Sequence, residues 1–244
     1  MIFKKSKRIK EEQKKQQILN FQSPNYQQIN VARLQHLTSL NINFTGKHIL
    51  ELGAGIGDHT FFYLVNNAKV TPIEGRKELV EYISTRFGIE AIEQDLEKDF
   101  VSNLKREHKY DIAHCYGILY HLANPEKFIK SVAELTDCIL LETCVSYDDN
   151  LIGTNLVGED KEDSTQAISG TGCRPNRKWI FNKIKENYKY SYMPITQPKH
   201  IQFPNYFDRE AKDTELVRAI FIGSNSPIDS DKLVNEFVEE YHEW

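Results

Sequence analysis

A doubly wound α/β domain built on a mostly parallel sheet is the fold this sequence predicts, and three observations carry it. From Lys47 onward, short apolar runs alternate with amphipathic stretches of helical period. Helix punctuation falls between them, with Gly88 as a stop and Asn124-Pro125-Glu126 as a start. A glycine-rich segment, Gly53-Ala54-Gly55-Ile56-Gly57, joins the first apolar run to the first helix of the series. Strands separated by helices pair in parallel and carry helices on both faces.

The elements follow in chain order. Residues 1–44 form a helical extension: a basic, glutamine-rich head, a turn at Ser23-Pro24-Asn25, and a better helix over Gln28–Leu40. The head reads either as a solvated, frayed arm or as a lid or RNA-touching arm. Residues 45–228 form the main domain. Lys47–Leu52 is its first strand, and Asp58 caps a helix running to Asn66. Lys69–Ile73 is the second strand, and Arg76–Phe87 a helix with Leu79, Val80, Ile83 and Phe87 on one face. Ile89–Glu93 and Tyr110–Tyr116 are the third and fourth strands. Asn124 as cap, Pro125 in the first turn and Glu126 beside it open the next helix. Cys138–Thr143 is the fifth strand. Leu151–Gly172 is polar and without period, the middle of an insertion spanning about 144–178. Asn176–Asn187 is helical again, and Tyr188–Ile195 and Leu216–Gly223 are strands. Residues 229–244 are expected to close the chain as a short acidic helix.

At 244 residues, 40% hydrophobic and 27% charged, the chain suits one globular domain with a small appendage. No run of about 18 apolar residues exists, so no membrane-spanning helix is expected. The basic head lacks the apolar stretch of a signal peptide, which leads us to expect a cytoplasmic location. The first twenty residues carry seven Lys/Arg against two Glu, a net +5 that leaves −9 on the rest of a chain totalling −4. That balance opposes a surface built throughout for nucleic acid. Cys115, Cys138, Cys144 and Cys173 show no CxxC spacing, so free thiols are expected rather than disulfides or a zinc site.

The segment from His48 to Asp58 decides the ligand. A glycine loop between a buried strand and a helix lets a ligand approach the backbone with no Cβ in the way. A dinucleotide fingerprint reads G-x-G-x-x-G. Begun at Gly53, that pattern needs glycine at position 58, where Asp58 stands. The chain instead reads E-x-G-x-G-x-G from Glu51, with an acid on the strand before the loop. S-adenosylmethionine has no pyrophosphate; it has an amino-acid end and a sulfonium, which an acid near the loop suits better. Seventeen residues after Gly57, Glu74 ends the second strand, where a carboxylate accepts hydrogen bonds from both ribose hydroxyls. Asp95, after the third strand, would accept from the adenine amine, or else cap a turn.

On these marks, residues 47–143 resemble the cofactor half of the class I S-adenosylmethionine-dependent methyltransferases. They are the Glu-Leu-Gly-Ala-Gly-Ile-Gly loop, Glu74, the Gln94-Asp95 pair and a fourth strand ending Cys-Tyr-Gly-Ile-Leu-Tyr-His-Leu. The resemblance implies a Rossmann-like sheet of seven strands with the last antiparallel, a place that Leu216–Gly223 would fill. It implies cofactor contacts from Glu51, Gly53, Ala54, Gly55 and Gly57 in the loop. Further contacts would come from Glu74 and Gly75, Asp95 and Leu96, and Cys115 and Tyr116. The stretch from Gly117 to Leu122, followed by Asn124-Pro125, is similar to a subset of these enzymes acting on small molecules, glycans or wobble uridine in tRNA.

Methyl transfer is an in-line displacement, so the protein must align donor and acceptor and remove a proton from a hydroxyl acceptor. Ligands in open α/β sheets lie beyond the carboxyl ends of the strands. Tyr116, Tyr120 and His121, just past the fourth strand, are the nearest candidates, and His121 has the pKa range of a general base. The alternative for His121 is an orienting role at the helix entry, with Tyr116 a wall of the methyl pocket. No Asn/Asp-Pro-Pro-aromatic tetrad or Pro-Cys pair ends the fourth strand, which opposes amine or cytosine-C5 methylation in DNA. Asp148-Asp149-Asn150 lacks a partner acid and reads as a solvated turn, so no metal is expected. Two proline-stiffened loops, one with Arg174, Arg177 and Trp179 and one with His200, read as a substrate lid. Tyr120, Arg174, Arg177 and Trp179 are the substrate-side candidates, the arginines suiting an anionic acceptor. His200 is a second candidate base.

The expectation is therefore an O-methyltransferase of a small hydroxylated metabolite or sugar. A tRNA-modifying enzyme, favoured by the basic arm and opposed by the acidic remainder, is one rival. A catalytically silent cofactor-binding subunit is another, because function lives in the site and not in the fold.

Overall fold

The computed structural model describes residues 2–104, 107, 109–147, 153–207 and 216–243, and no side chain among residues 2–10 or at 13. The triad Asp148-Asp149-Asn150 and the end of the second proline loop, Asp208, lie outside the described residues.

The extension is two helices, α1 (Ile2–Phe21) and α2 (Pro24–Ser39). Pro24 sits in the first turn of α2, where its missing N–H costs nothing. The main series then runs β1 (His48–Leu52), α3 (Asp58–Val65), β2 (Lys69–Glu74), α4 (Lys77–Phe87) and β3 (Ile92–Glu93). It continues with α5 (Val101–Leu104), β4 (Ile112–Tyr116), a 3₁₀ turn at Leu119–His121, α6 (Pro125–Leu135) and β5 (Cys138–Val145). After the insertion come α7 (Arg177–Asn187), β8 (Tyr190–Pro194), β9 (Val217–Ser224) and β10 (Leu233–Val234). The insertion itself carries β6 (Leu156–Gly158) and β7 (Thr171–Cys173), an antiparallel pair apart from the main sheet. It leaves and rejoins the domain at one place, where Ser146 N–H donates to Pro175 O over 3.0 Å.

The main sheet has the order β10-β8-β9-β5-β4-β1-β2-β3. β3, β2, β1, β4 and β5 pair in parallel, and β9 runs antiparallel to both β5 and β8. The sheet thus has eight strands where seven were expected. The added strand is β10, and it comes from the segment expected to be an acidic helix. Leu233 and Val234 pair with Pro194 and Met193 of β8 instead. The rest of 235–243 forms no helix. Its apolar residues dock on a side chain of α7 described below.

Both faces of the sheet are covered, and β4, β5 and β9 are buried along their whole length. On one face Phe128, Ile129 and Val132 of α6 and Ile180 and Ile184 of α7 close on Leu50, Ala113, Ile139 and Phe221. On the other, Ile29 and Leu37 of α2 and Tyr63 of α3 close on Ile49, Leu140 and Ile220. The extension is therefore part of the core. Since β1, β2 and β4 all point their carboxyl ends the same way, the loops after Leu52, Glu74 and Tyr116 gather on one rim.

Candidate active site

A cavity opens on that rim. Its floor comes from the loops after β1, β2, β3 and β4: Gly53 and Gly55, Glu74 and Gly75, Asp95 and Leu96, Tyr116 and Gly117. Its far wall is Tyr120 and His121. Its roof has two sources: Phe21 and Tyr26 of the extension, and Ser164–Ser169 of the insertion.

The roof is fastened on three sides. Ser164 Oγ donates to Gln17 O (2.9 Å), and Asn20 Nδ2 lies 3.3 Å from Asp163 Oδ1. Arg76 Nη2 donates to the carbonyls of Lys161, Asp163 and Gln166. Lys14 pairs with Glu81 of α4 at 2.7 Å. The basic arm thus ends as a wall of the cavity. Gly75 belongs to the same closure, since a Cβ there would strike Ile168.

The glycine loop is built by backbone bonds to β2. Gly53 and Ala54 N–H both donate to Ile73 O (2.9 and 3.0 Å). Gly55 has φ +58°, a left-handed conformation that few residues other than glycine adopt, and its N–H donates to Glu74 Oε2 at 2.9 Å. The other oxygen of Glu74 accepts Arg76 N–H at 3.0 Å. Each carboxylate oxygen keeps a lone pair for a ligand hydroxyl. Burial raises the pKa of Glu74, against backbone N–H bonds that lower it. Asp95 accepts Glu97 N–H (3.0 Å), so it caps a turn while still lining the cavity.

Other loop candidates lie elsewhere. Gly57 is a packing glycine: a Cβ would come within 2.5 Å of Phe87 on α4. Glu51 lies behind the loop, almost fully buried, where it accepts from Thr60 Oγ1 and braces β1 to α3. Burial holds its carboxyl up at about 8. Cys115 faces the core. Ala54 lines a smaller recess next to the cavity, together with Tyr116.

At the far wall, His121 Nδ1 is 2.5 Å from Glu159 Oε2. Glu159 is also held by Arg174 (3.2 Å) and by Ala167 N–H (2.8 Å). Burial lowers the pKa of His121, and the bond and charge of Glu159 raise it in part. A carboxylate on Nδ1 fixes the tautomer that leaves Nε2 bare, which is the arrangement of a base. Beneath, Glu142 within β5 joins two buried guanidiniums, Arg33 at 2.5 Å and Arg218 at 3.1 Å. Arg218 also donates to the Tyr120 hydroxyl at 3.2 Å.

Sequence reasoning missed Glu159, Arg33, Glu142 and Arg218. It also placed three residues at the site that the structure puts elsewhere. Arg177 is buried away from the cavity, 3.9 Å from the Phe207 ring centre and 5.1 Å from that of Phe237, and donates to Val238 O and Glu239 O. It anchors the C-terminal segment. Trp179 packs on the core face of α7. His200 lines a separate surface cleft with Gln197 and Lys199, and its Nδ1 accepts Gln202 N–H. Arg174 meets the site through Glu159, the Tyr120 carbonyl and the Tyr120 ring, whose centre lies 5.2 Å from its guanidinium. Among the described residues no three His, Cys, Asp or Glu cluster as metal ligands, and no helix is long and apolar enough to cross a membrane.

A mostly parallel sheet with the antiparallel β9 beside β5, a glycine loop after β1 and an acid closing β2 is the fold of the class I S-adenosylmethionine-dependent methyltransferases. Solved structures agree. The N-terminal domain of EvdMO1, crystallised in the presence of S-adenosylhomocysteine and D-fucose, aligns with a TM-score of 0.60 at 20% identity, over 83% of this chain and 84% of that one. An S-adenosylmethionine-dependent methyltransferase from Mesorhizobium loti aligns at 0.57 and 13% identity, over 79% and 97%. Magnesium protoporphyrin IX methyltransferase from Synechocystis PCC 6803, with bound S-adenosylmethionine, aligns at 0.53 and 14%, over 84% and 85%. In sequence, the chain is similar to a ubiquinone biosynthesis O-methyltransferase of Aeromonas salmonicida (strain A449), 29% identical over 114 residues. That match takes in 44% of this chain and 46% of the relative's length. No family profile matches the chain.

Proposed function

We propose that the chain is an S-adenosylmethionine-dependent methyltransferase that methylates a hydroxyl of a small molecule, a sugar or a similar hydroxylated metabolite. The observation that carries this reading is the pairing of His121 with Glu159 at the wall of the same cavity whose floor is the glycine loop and Glu74. Bound, the cofactor supplies a methyl group on a sulfonium that is already a good leaving group. Glu74 would accept the ribose hydroxyls, Asp95 and Leu96 would flank the adenine, and the methyl would lie near Tyr116. His121 takes the proton of the acceptor hydroxyl on Nε2, while Glu159 keeps Nδ1–H in place and steadies the imidazolium that forms. Phe21 and Ile168 overhead exclude water.

The acceptor class draws support from the D-fucose in the crystals of one structural neighbour and from the O-methyltransferase activity in the name of the sequence relative. A cavity roofed by Phe21, Tyr26 and Ser164–Ser169 favours a free metabolite over a nucleotide held within RNA. The test is a panel of sugars, phenols and hydroxy acids, with S-adenosylhomocysteine release measured for each. Turnover with a hydroxylated compound supports the proposal. Cofactor binding without turnover on any of them, or turnover only on tRNA, would sink it.

A further inference from the structure

Behind the glycine loop lies a recess continuous with the main cavity through Gly53, Tyr26 and Tyr116, and bounded on its other sides by Asn30, Asp58 and His59. Two buried polar atoms there have no hydrogen-bond partner, His59 Nε2 and the Tyr116 hydroxyl. Buried polar groups are almost always paired, so two orphans in one recess mark a place where a ligand completes the bonding.

His59 is the end of a chain. The Tyr63 hydroxyl is 2.8 Å from His114 Nδ1, and His114 Nε2 is 2.8 Å from His59 Nδ1. Burial holds both rings neutral, with the pKa of His59 lowered to about 3 and that of His114 well below its usual value. A neutral imidazole has one N–H and one bare nitrogen, so the chain has a direction. If Tyr63 accepted from His114, its own proton would be buried with no acceptor among the described residues. Tyr63 therefore donates, His114 passes its Nε2–H to His59 Nδ1, and His59 is left with its proton on Nε2. The recess receives a fixed donor.

We propose that the Tyr63–His114–His59 relay holds the α-carboxylate at the amino-acid end of S-adenosylmethionine. His59 Nε2–H and the Tyr116 hydroxyl are the donors, and His114 and Tyr63 are positioning residues. The inference rests on the cofactor reading above. The His59 Nε2–H can only donate and the Tyr116 hydroxyl is free to donate beside it, a pair that suits an anion, and the start of α3 adds the positive end of a helix of eight residues. Asp58, the acid in the recess, is already bound by Arg86 (2.9 Å) and Gln27 (3.0 Å). Its remaining capacity suits the ammonium of the same zwitterion. Tyr26 faces the recess from the extension and adds no charge to it.

Calorimetry with two ligands tests this: S-adenosylhomocysteine, and 5′-methylthioadenosine, which lacks the amino-acid end. Tyr63→Phe removes the hydroxyl whose proton sets the direction of the relay, and His59→Leu removes the donor itself. Both variants should lose tenfold or more in affinity for S-adenosylhomocysteine while methylthioadenosine binding stays within twofold of wild type. Unchanged affinity for both ligands would mean that the recess holds water alone, and equal losses for both would make the relay structural; either outcome overturns the proposal. A wild-type protein that binds neither ligand overturns the cofactor reading itself. Should the variants not fold, nitrogen-15 shifts of the wild-type histidines decide. The His59 Nε2–H signal should move with S-adenosylhomocysteine and stay put with methylthioadenosine; the absence of a proton on Nε2 would refute the relay.

Discussion

Phe21 lies against Gly55 so closely that a Cβ on the glycine would stand 2.8 Å from Phe21 Cε1. The extension and the glycine loop therefore share one surface, and position 55 is restricted twice, by its neighbour and by its φ of +58°. Gly55→Val should abolish S-adenosylhomocysteine binding and lower stability by about 1–3 kcal/mol, the range for a residue forced into a sparsely populated conformation. Calorimetry together with a denaturation curve reads both. Equal binding by the variant and wild type would remove the loop from the site.

Glu74 uses one lone pair of each oxygen on the backbone of Gly55 and Arg76. Glu74→Ala should weaken cofactor binding by about 1.5–3 kcal/mol, the range for hydrogen bonds to a charged group. Stability should fall less. Affinity within twofold of wild type, with a lower melting temperature, would make the residue a brace for the loop only.

His121 and Glu159 give a signed pH prediction. Neutral His121 is the active form of a base, so the rate rises as pH passes upward through its pKa. Glu159 raises that pKa against the effect of burial. Glu159→Gln should therefore move the acidic limb of the kcat/KM profile to lower pH and reduce the plateau, because the imidazolium loses its counter-charge. His121→Asn should cut turnover by about 10²–10⁴ with cofactor affinity intact. An Asn variant with wild-type rate and an unchanged acidic limb would take His121 out of the mechanism.

Glu142 is the common partner of Arg33 and Arg218, all three of them buried. Glu142→Leu leaves two guanidiniums without a counter-charge, which should cost about 3–5 kcal/mol. Urea denaturation measures it. A loss below about 1 kcal/mol would show that the arginines find other partners or reach water.

The parts of this molecule legible in the sequence are those with local causes. The strand, loop and helix from His48 to Val65 and the acid closing β2 were readable because period and spacing act within about thirty residues. So was the place of His121, one loop past a buried strand. Glu159 was not, because its partner is 38 residues away and the insertion between them has no period. Arg33 lies 109 residues from Glu142, with nothing local to mark it as buried. The C-terminal segment misled for a different reason. Leu233, Phe237 and Tyr241 recur every four residues, the spacing of a helix face. Yet Leu233 pairs with β8, while Phe237 and Tyr241 surround the Arg177 guanidinium. A repeat of four has no helical meaning where each residue answers to a different distant partner.

The hydrogen bond between Ser146 and Pro175 gives the insertion the geometry of a graft. Both ends meet at one point on the rim, so the span between them can change in length or sequence while the sheet below keeps its register. That span supplies Glu159 and half of the roof, and none of the floor beneath the cofactor cavity. On the function proposed above, selection acting on it would retune which acceptor is admitted and how its proton is taken, while the glycine loop and Glu74 stay as they are.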